Sequence, residues 1–198
     1  MKHSPCRIKL IFWTMLASVA QLCAQDPFLR TGQVLYEGHA TAYVIRHLPV
    51  NAFPELPAAV RSELEHRGCQ IPQTYEAHQP ENVVSASLRQ PDSVDWAVLC
   101  SVNGTVSLLV FFGDSPVPTV LANAPETDRL QPHDPGSTLG FNWGIDPATP
   151  EQVHEAQTGL QPRPTRLDHD ALADSVLERR TRYHFFVNGH WTLLELPD

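Results

Sequence analysis

Asp168, His169 and Asp170 form the cluster in this sequence whose residue types could most readily do chemistry. A carboxylate beside an imidazole can orient a general base or support a metal ligand. Adjacent side chains do not converge on one ion, however, and these three residues stand at the start of a predicted helix. There Asp168 acts as the N-cap, Asp170 complements the helix dipole, and His169 lies on the side of Ala173 and Val176. The pattern therefore favours a structural role.

Nine histidines follow residue 24, and no two of them have a metalloenzyme spacing such as HExxH. They are His39, His47, His66, His78, His133, His154, His169, His184 and His190. His184 and His190 flank the last predicted turn, but its register places them on opposite faces of the hairpin. The sequence thus predicts no metal and no cofactor. The catalytic residues are unknown, and the candidates are Asp168, His169, Asp170 and His184.

The sequence also lacks the common nucleotide-binding and hydrolase motifs, since GxSxG, GxGxxG and GxxxxGK[ST] are absent. Trp143 is the candidate binding residue. It lies between Asn142 and Gly144 in a loop-rich stretch, and it is the aromatic side chain least easily explained as part of a core. We therefore expect an exposed aromatic ring there. Packing across a sheet explains the other aromatic residues.

The charge balance excludes one class of partner. The chain has 14 basic and 22 acidic residues, a formal charge of −8. Three of the basic residues, Lys2, Arg7 and Lys9, precede residue 25, which leaves 11 basic against 22 acidic residues and a charge of −11. No run of arginines interrupts this acidic background. A net acidic surface repels phosphate backbones, so nucleic acid is not expected as a partner.

Residues 1–24 have the pattern of a secretory signal peptide. A basic start is followed by a predominantly apolar region of eleven residues, 10–20, which is shorter than the ~20 residues that span a bilayer. Cleavage is expected after Ala24 rather than Ala20. Acylation of Cys23 is disfavoured because no small residue precedes it. The protein is therefore predicted to be exported, to the periplasm or out of the cell. No second apolar run is long enough to form a transmembrane segment in the mature chain.

Removal of residues 1–24 leaves two of the four cysteines, Cys69 and Cys100. An even pair in an exported chain predicts a disulfide. The bridge would close a loop of about thirty residues and stabilise the fold by roughly 3 kcal/mol on the loop-entropy model. Neither cysteine has a CxxC or CxxH neighbour, so the pair does not indicate zinc.

Two Asn-Gly pairs between apolar runs predict β-hairpins, at Asn103-Gly104 and at Asn188-Gly189. Two-residue turns fix the register, so that Cys100 faces Ser107 and Phe186 faces Trp191. Both faces of the first hairpin are apolar. We therefore expect it to be central and covered on both sides.

Helices are predicted at about 57–67, after the capping box at Thr149, and at 168–180. Strands are predicted within 34–47 and at 82–88. The Pro- and Gly-rich stretch 113–138 is predicted to be a loop with at most one short strand. The predicted fold class is α+β, with residues 25–198 forming a single domain. It has a mainly antiparallel sheet, two hairpins, two to three helices and one disulfide.

The segments GCQIPQ (68–73), NVVSASL (82–88) and DWAVLC (95–100) resemble elements of a set of uncharacterised exported bacterial proteins with GC-x-IPQ and DWA-x-LC motifs. The tail, LDHDALADSVLERRTRYHFFVNGHWTLLEL, is similar to the same group. This resemblance covers roughly half of the chain; it implies the disulfide and the domain extent, and no activity. The similarity of 92–112 to one FG-GAP or VCBS blade lacks the calcium-binding acids, so it implies no calcium site.

Three functional hypotheses follow. The preferred one is a non-catalytic exported protein that binds a protein or another envelope component through the irregular stretch 113–150. The alternative is a small hydrolase or metal-dependent enzyme that uses His169, His184 and nearby carboxylates, in which case these groups converge in one cleft. The third is a structural stress-tolerance protein without a specific ligand.

Overall fold

The computed structural model describes residues 27–134 and 136–195. The predicted signal peptide and its cleavage site lie outside these residues. Within them, no helix is both long and apolar enough to cross a membrane.

The described residues form mainly β-strands and contain two α-helices, α1 (Ala58–His66) and α2 (Pro150–Ala156), together with 3-10 turns at Val50–Ala52 and Glu126–Arg129. The strands are β1 (Leu29–Tyr36), β2 (His39–Pro49), β3 (Gln70–Gln73), β4 (Val83–Ala86), β5 (Asp95–Val102), β6 (Thr105–Phe111), β7 (Thr119–Pro125), β8 (Leu130–Pro132), β9 (Leu139–Phe141), β10 (Trp143–Ala148), β11 (Ala171–Val176), β12 (Arg180–Val187) and β13 (His190–Leu194).

The strands form two sheets. The larger sheet has the order β7-β6-β5-β3-β2-β9-β8, with β1 also paired to β2 and β4 also paired to β5. Only the short β2–β9 pairing is parallel within the described chain. The smaller sheet is the antiparallel series β10-β11-β12-β13. The expected α+β class with a mainly antiparallel sheet is therefore confirmed.

The hairpin of β5 and β6 lies at the centre of the larger sheet. Val102 pairs with Thr105 across the turn, where Asn103 and Gly104 have φ angles of 50° and 83°. One face of the hairpin packs against α1, and Val60, Leu64 and Val98 belong to this core. The other face packs against the smaller sheet through a second core, to which Leu99, Leu108, Trp143, Ile145 and Leu172 belong. Both faces are buried, as the apolar sequence of the hairpin predicts.

The disulfide joins α1 to this central hairpin. Gly68, with φ 73°, ends the helix in the left-handed conformation that favours glycine, and the Cys69 amide donates to the Leu64 carbonyl at 3.0 Å. Cys69 then bonds to Cys100 of β5, with 5.2 Å between the two Cα atoms. The predicted bridge is confirmed, and it anchors the helix to the middle of the sheet.

The predicted helix over 168–180 is wrong. Ala171–Val176 is strand β11, paired on one side with β10 and on the other with β12. The local sequence has helical spacing and good helix-forming residues, but a central strand satisfies its backbone hydrogen bonds on both edges. Residues 171–174 are all buried, so burial on both faces outweighs the local propensity.

The expected irregular stretch 113–150 is largely wrong as well. It contains β7, β8, β9 and β10 as well as the start of α2. The prolines are accommodated at strand ends and at the edges, as Pro125 and Pro132 illustrate. The capping box is confirmed, since the Gln152 amide donates to the Thr149 hydroxyl at the start of α2.

Replacing both Cys69 and Cys100 by Ala should lower the free energy of unfolding by about 3 kcal/mol, because the unfolded chain regains the entropy of an open loop of 31 residues. Urea titration of the oxidised protein and of the double variant measures this loss. Reduced wild-type protein is the control and should match the variant. A loss below about 0.5 kcal/mol would show that packing alone holds the loop closed.

Gly104→Ala should destabilise the protein more than Gly189→Ala. Both glycines have φ angles just above 80°, and an L-residue pays about 1–2 kcal/mol in that conformation. At Gly104 a Cβ would also lie 2.5 Å from Nη1 of Arg30, whereas at Gly189 it would meet nothing within 4 Å. Thermal unfolding of the two variants gives the comparison. Equal losses would mean that Arg30 moves aside without cost.

Candidate functional site

Asp174 is a buried carboxylate at the centre of the smaller sheet. Its Oδ1 accepts a hydrogen bond from the indole Nε1 of Trp143 at 2.7 Å. Its Oδ2 accepts from Nη2 of Arg182 at 2.7 Å and lies 3.1 Å from Nε2 of His184. The Asp174 side chain is fully buried. A buried charge needs such donors, because water is not available to solvate it.

The register of the smaller sheet brings these groups together. Asp174 pairs with Arg182 across β11 and β12, and Val176 pairs with Trp143 across β10 and β11. Residues two apart on a strand share a face. Trp143, Asp174, Arg182 and His184 therefore all lie on one face of the sheet, the face directed to the larger sheet.

Burial by itself raises the pKa of Asp174. The hydrogen bond from His184, followed by the charges of Arg182, His184 and Arg129, outweighs burial and sets the pKa below its ordinary value of 3.8. The carboxylate is therefore ionised at neutral pH, and it attracts the cations that surround it.

Arg129 lies over the ring of Trp143, with its guanidinium carbon 4.1 Å from the ring centroid. It ends the 3-10 turn that leads into β8. Burial lowers its pKa; the charge of Asp174 opposes this effect, and the charges of Arg182 and Arg180 add to it. The ring face attracts the cation and holds its plane flat. Its guanidinium donates no hydrogen bond to any group in residues 27–134 or 136–195.

Arg129 shares a cleft of about 350 Å³ with Arg179 and Arg180. Arg179 belongs to the turn between β11 and β12, and Arg180 begins β12. Both are exposed, and neither forms an ion pair within the described part of the chain. Asp128 is the one carboxylate in the cleft wall that the structure describes. The expectation that no arginines cluster is therefore wrong, because the turns bring residues 50 positions apart to one place.

The candidate residues Asp168, His169 and Asp170 serve the packing of the smaller sheet. His169 is buried, with Nδ1 2.7 Å from Oδ1 of Asp168 and Nε2 2.9 Å from the Phe186 carbonyl. The hydrogen bond with His169 lowers the pKa of Asp168. The Asp170 carboxylate accepts from the Ser87 amide at 3.1 Å. All three residues thus fasten the start of β11, although not as the caps of a helix.

His184 belongs to the Asp174 cluster and shares no hydrogen-bonding group with His169. The four catalytic candidates therefore do not form one constellation of hydrogen-bonded groups. The expected exposed aromatic ring at Trp143 is also wrong, because Trp143 is completely buried. Trp143 nevertheless lies next to the cleft, because its ring contacts the guanidinium of Arg129.

Glu126 is a second buried carboxylate, at the other end of the turn that carries Arg129. His47 Nε2 lies 2.8 Å from its Oε1, and the Ser101 hydroxyl donates to the same oxygen. Nη1 of Arg30 lies 3.1 Å from Oε2, an ion-pair distance without hydrogen-bonding geometry. Burial raises the pKa of Glu126, but the hydrogen bonds from His47 and Ser101 outweigh this and lower it.

The order of groups around Glu126 does not fit a catalytic triad. In a Ser-His-acid triad the imidazole lies between the hydroxyl and the carboxylate. Here the carboxylate lies between the hydroxyl of Ser101 and the imidazole of His47. Glu126 is 1% exposed, so a substrate has no path to it. The cluster instead holds the turn that positions Arg129.

Two other clefts carry less charge. A cleft of about 570 Å³ lies between the β1–β2 turn and residues 136–139, with Glu37 and His39 in its wall. A cleft of about 370 Å³ lies beside Tyr75 and Arg46, where Arg46 already donates to the Ala77 carbonyl. Neither brings several like charges together, so the arginine-lined cleft is the candidate site.

Sequence reasoning missed Asp174, Arg182, Arg179, Arg180 and Glu126. Because 168–180 was predicted to be a helix, the burial of Asp174 between two strands was not predicted. The available signal was the alternation of Arg180, Arg182 and His184 with other residues, which is that of a strand with one charged face.

Among residues 27–134 and 136–195, no three His, Cys, Asp or Glu side chains are grouped as metal ligands. The chain matches no protein-family model, and no curated protein or solved structure is significantly similar to it. The resemblance to exported proteins with GC-x-IPQ and DWA-x-LC motifs stays a prediction.

Asp174→Asn should lower the free energy of unfolding by roughly 2–3 kcal/mol at neutral pH, because the charge-assisted hydrogen bonds from Arg182 and His184 lose their buried anion, and Arg182 keeps, among the described residues, only its ion pair with exposed Glu195. It should also remove part of the acid sensitivity. The lowered pKa means that Asp174 stabilises the fold fully above about pH 3.9, and that this contribution is lost as the pH falls through the folded-state value.

Urea titrations between pH 2 and pH 7 measure both effects. Exposed Asp114 makes the control substitution, and Asp114→Asn should retain the wild-type pH profile. If the free energy of unfolding of Asp174→Asn fell with decreasing pH as steeply as that of wild type, the assignment of this carboxylate as the charged centre of the sheet would be contradicted.

Proposed function

We propose that this protein is an exported, non-catalytic binding protein that takes a small anionic ligand of the cell envelope in the cleft of Arg129, Arg179 and Arg180. The observation that carries the proposal is a single cleft lined by three arginines whose guanidinium groups have no hydrogen-bonded or ion-paired partner in the described chain. Each guanidinium presents several N–H donors in a fixed plane, which suits oxyanions.

The electrostatics of the cleft favour an anion. Burial lowers the pKa of Arg129; the charge of Asp174 opposes this effect, and the repulsion from Arg182 and Arg180 adds to it. An anion bound between the arginines would relieve this repulsion. Such binding gains strength from partial removal of water, because a lower local dielectric strengthens charge-assisted hydrogen bonds.

The cleft is also preorganised. The ring of Trp143 holds the plane of Arg129, and Asp174 holds the indole through a 2.7 Å hydrogen bond. A side chain that is already ordered loses less entropy when a ligand binds. A rigid cation supported by a buried network is therefore more consistent with recognition than with a mobile surface charge.

Export rests on two features: the signal-like pattern of residues 1–24 and the disulfide, which persists in oxidising compartments.

The net charge of −8 still disfavours nucleic acid as a partner, because long-range repulsion acts beyond a single cleft. The hypothesis that a protein or another envelope component binds through 113–150 loses support, since half of that stretch is strand. The envelope component that we propose is accordingly a small anion.

The alternative, a small hydrolase or metal-dependent enzyme, has less support. It requires His169, His184 and nearby carboxylates to converge in a cleft. In the structure His169 contacts the Phe186 carbonyl and His184 contacts Asp174, so the two histidines have separate buried partners. The structural hypothesis, a fold without a ligand, leaves the three unpartnered arginines unexplained.

The double variant Arg179→Gln with Arg180→Gln should weaken anion binding at least tenfold, because each charge-assisted hydrogen bond contributes about 1.5–3 kcal/mol. The matched control is Arg163→Gln with Arg166→Gln. It removes the same charge, but from the segment beside α2 on the opposite face of the smaller sheet.

Thermal stabilisation by inorganic phosphate, sulfate, citrate, glucuronate and glucose 6-phosphate, at constant ionic strength, gives the readout. A ligand at 100 times its Kd stabilises the native state by about 2.7 kcal/mol. We expect at least one anion to stabilise wild type and control alike, and to stabilise the cleft variant much less. If no anion distinguishes the two variants, the proposal is wrong.

A further inference from the structure

We infer that the anionic group recognised in this cleft is a phosphate monoester carried by a molecule of about monosaccharide size. This inference rests on the proposed function. It follows from the local charge of the cleft, from the places in the chain that supply its arginines, and from its volume.

The charge of the cleft matches a dianion. Three guanidinium groups and the carboxylate of Asp128 line it, which leaves a local charge of about +2. Asp174 lies behind Trp143, and its charge also acts on Arg129, but its ion pair with Arg182 offsets that charge, so the sum stays at about +2. A phosphate monoester carries a charge of about −1.5 to −2 at pH 7, whereas a carboxylate carries about −1.

The arginines that line the cleft come from two separate parts of the chain. Arg129 ends the turn before β8, Arg179 lies in the turn between β11 and β12, and Arg180 begins β12. Donors from separate parts of the chain suit a tetrahedral group with three terminal oxygens, because each guanidinium can take a different oxygen. A planar carboxylate has two oxygens, which one guanidinium can occupy in a bidentate pair. A single carboxylate therefore has too few oxygens to accept hydrogen bonds from all three arginines.

The volume limits the rest of the ligand. About 350 Å³ lies at the lower end of the range for small-molecule sites, roughly 300–1,000 Å³. This space suits a phosphate group attached to a molecule of about monosaccharide size. Asp128 in the same wall repels a second phosphate, and the acidic chain repels a polymer of them. A small monoester fits these limits, and a nucleic acid does not.

Isothermal titration of the disulfide-bonded protein at pH 7.5 and fixed ionic strength tests the inference with four probes: glucose 6-phosphate, glucuronate, glucose and inorganic phosphate. Glucuronate places a carboxylate where glucose 6-phosphate has its phosphate ester, so the two probes differ chiefly in the anion. We expect glucose 6-phosphate to bind at least tenfold more tightly than glucuronate, and glucose not to bind.

Two variants locate the binding. Arg129→Gln should weaken the binding of glucose 6-phosphate at least tenfold, and Arg129→Lys should recover only part of it, because Lys keeps the charge but loses the planar fork. Thermal unfolding verifies that both variants are folded. The pair Arg163→Gln and Arg166→Gln should bind like wild type.

Each other result has a distinct meaning. Glucuronate binding as tightly as glucose 6-phosphate would overturn the phosphate assignment and leave the anion-binding function standing. Inorganic phosphate binding as tightly as the sugar phosphate would overturn the monoester and identify the free ion as the ligand. If no probe binds, or if Arg129→Gln binds glucose 6-phosphate like wild type, both the inference and the proposed cleft function are wrong.

Discussion

A charged carboxylate can be buried only where donors replace its water, and Asp174 meets this condition on the inner face of the smaller sheet. Trp143, Arg182 and His184 each direct a nitrogen at it, and they come from the two strands on either side of β11. The hydrogen bonds therefore tie the sheet across its width. Their geometry also sets the register, since a shift of one residue would move Asp174 to the opposite face.

The cleft depends on the buried charge of Asp174 through the side chain of Trp143. Asp174 holds the indole of Trp143, and the indole holds Arg129. Glu126 fixes the other end of the same turn through His47 and Ser101. Two buried carboxylates thus position Arg129, whose guanidinium forms no ion pair with any residue that the structure describes. This arrangement concentrates positive charge at one point of an otherwise acidic protein, where an anion can bind.

Local patterns predicted much of the framework correctly. The Asn103-Gly104 turn, helix α1, the capping box at Thr149 and the Cys69–Cys100 bridge each depend on residues close in sequence or on the count of cysteines. The local pattern gave the wrong element at β11. A short run of four buried residues in a central strand cannot be distinguished from a buried helix segment by its apolar spacing alone. That single error hid Asp174, and with it the origin of the candidate site.

Composition and short-range chemistry therefore determine the α+β class, the hairpin turns, the disulfide and the signal-like start of this chain. These features follow from conformational preferences and pairings that act over a few residues, or from the two cysteines that follow the signal-like start. The site follows from the tertiary structure alone. Arg129 and Arg179 are 50 positions apart in the chain, and only the pairing of β10, β11 and β12 brings them to one cleft over a buried counter-charge. Pairing between distant strands decides which charges face each other, and no local pattern contains that information.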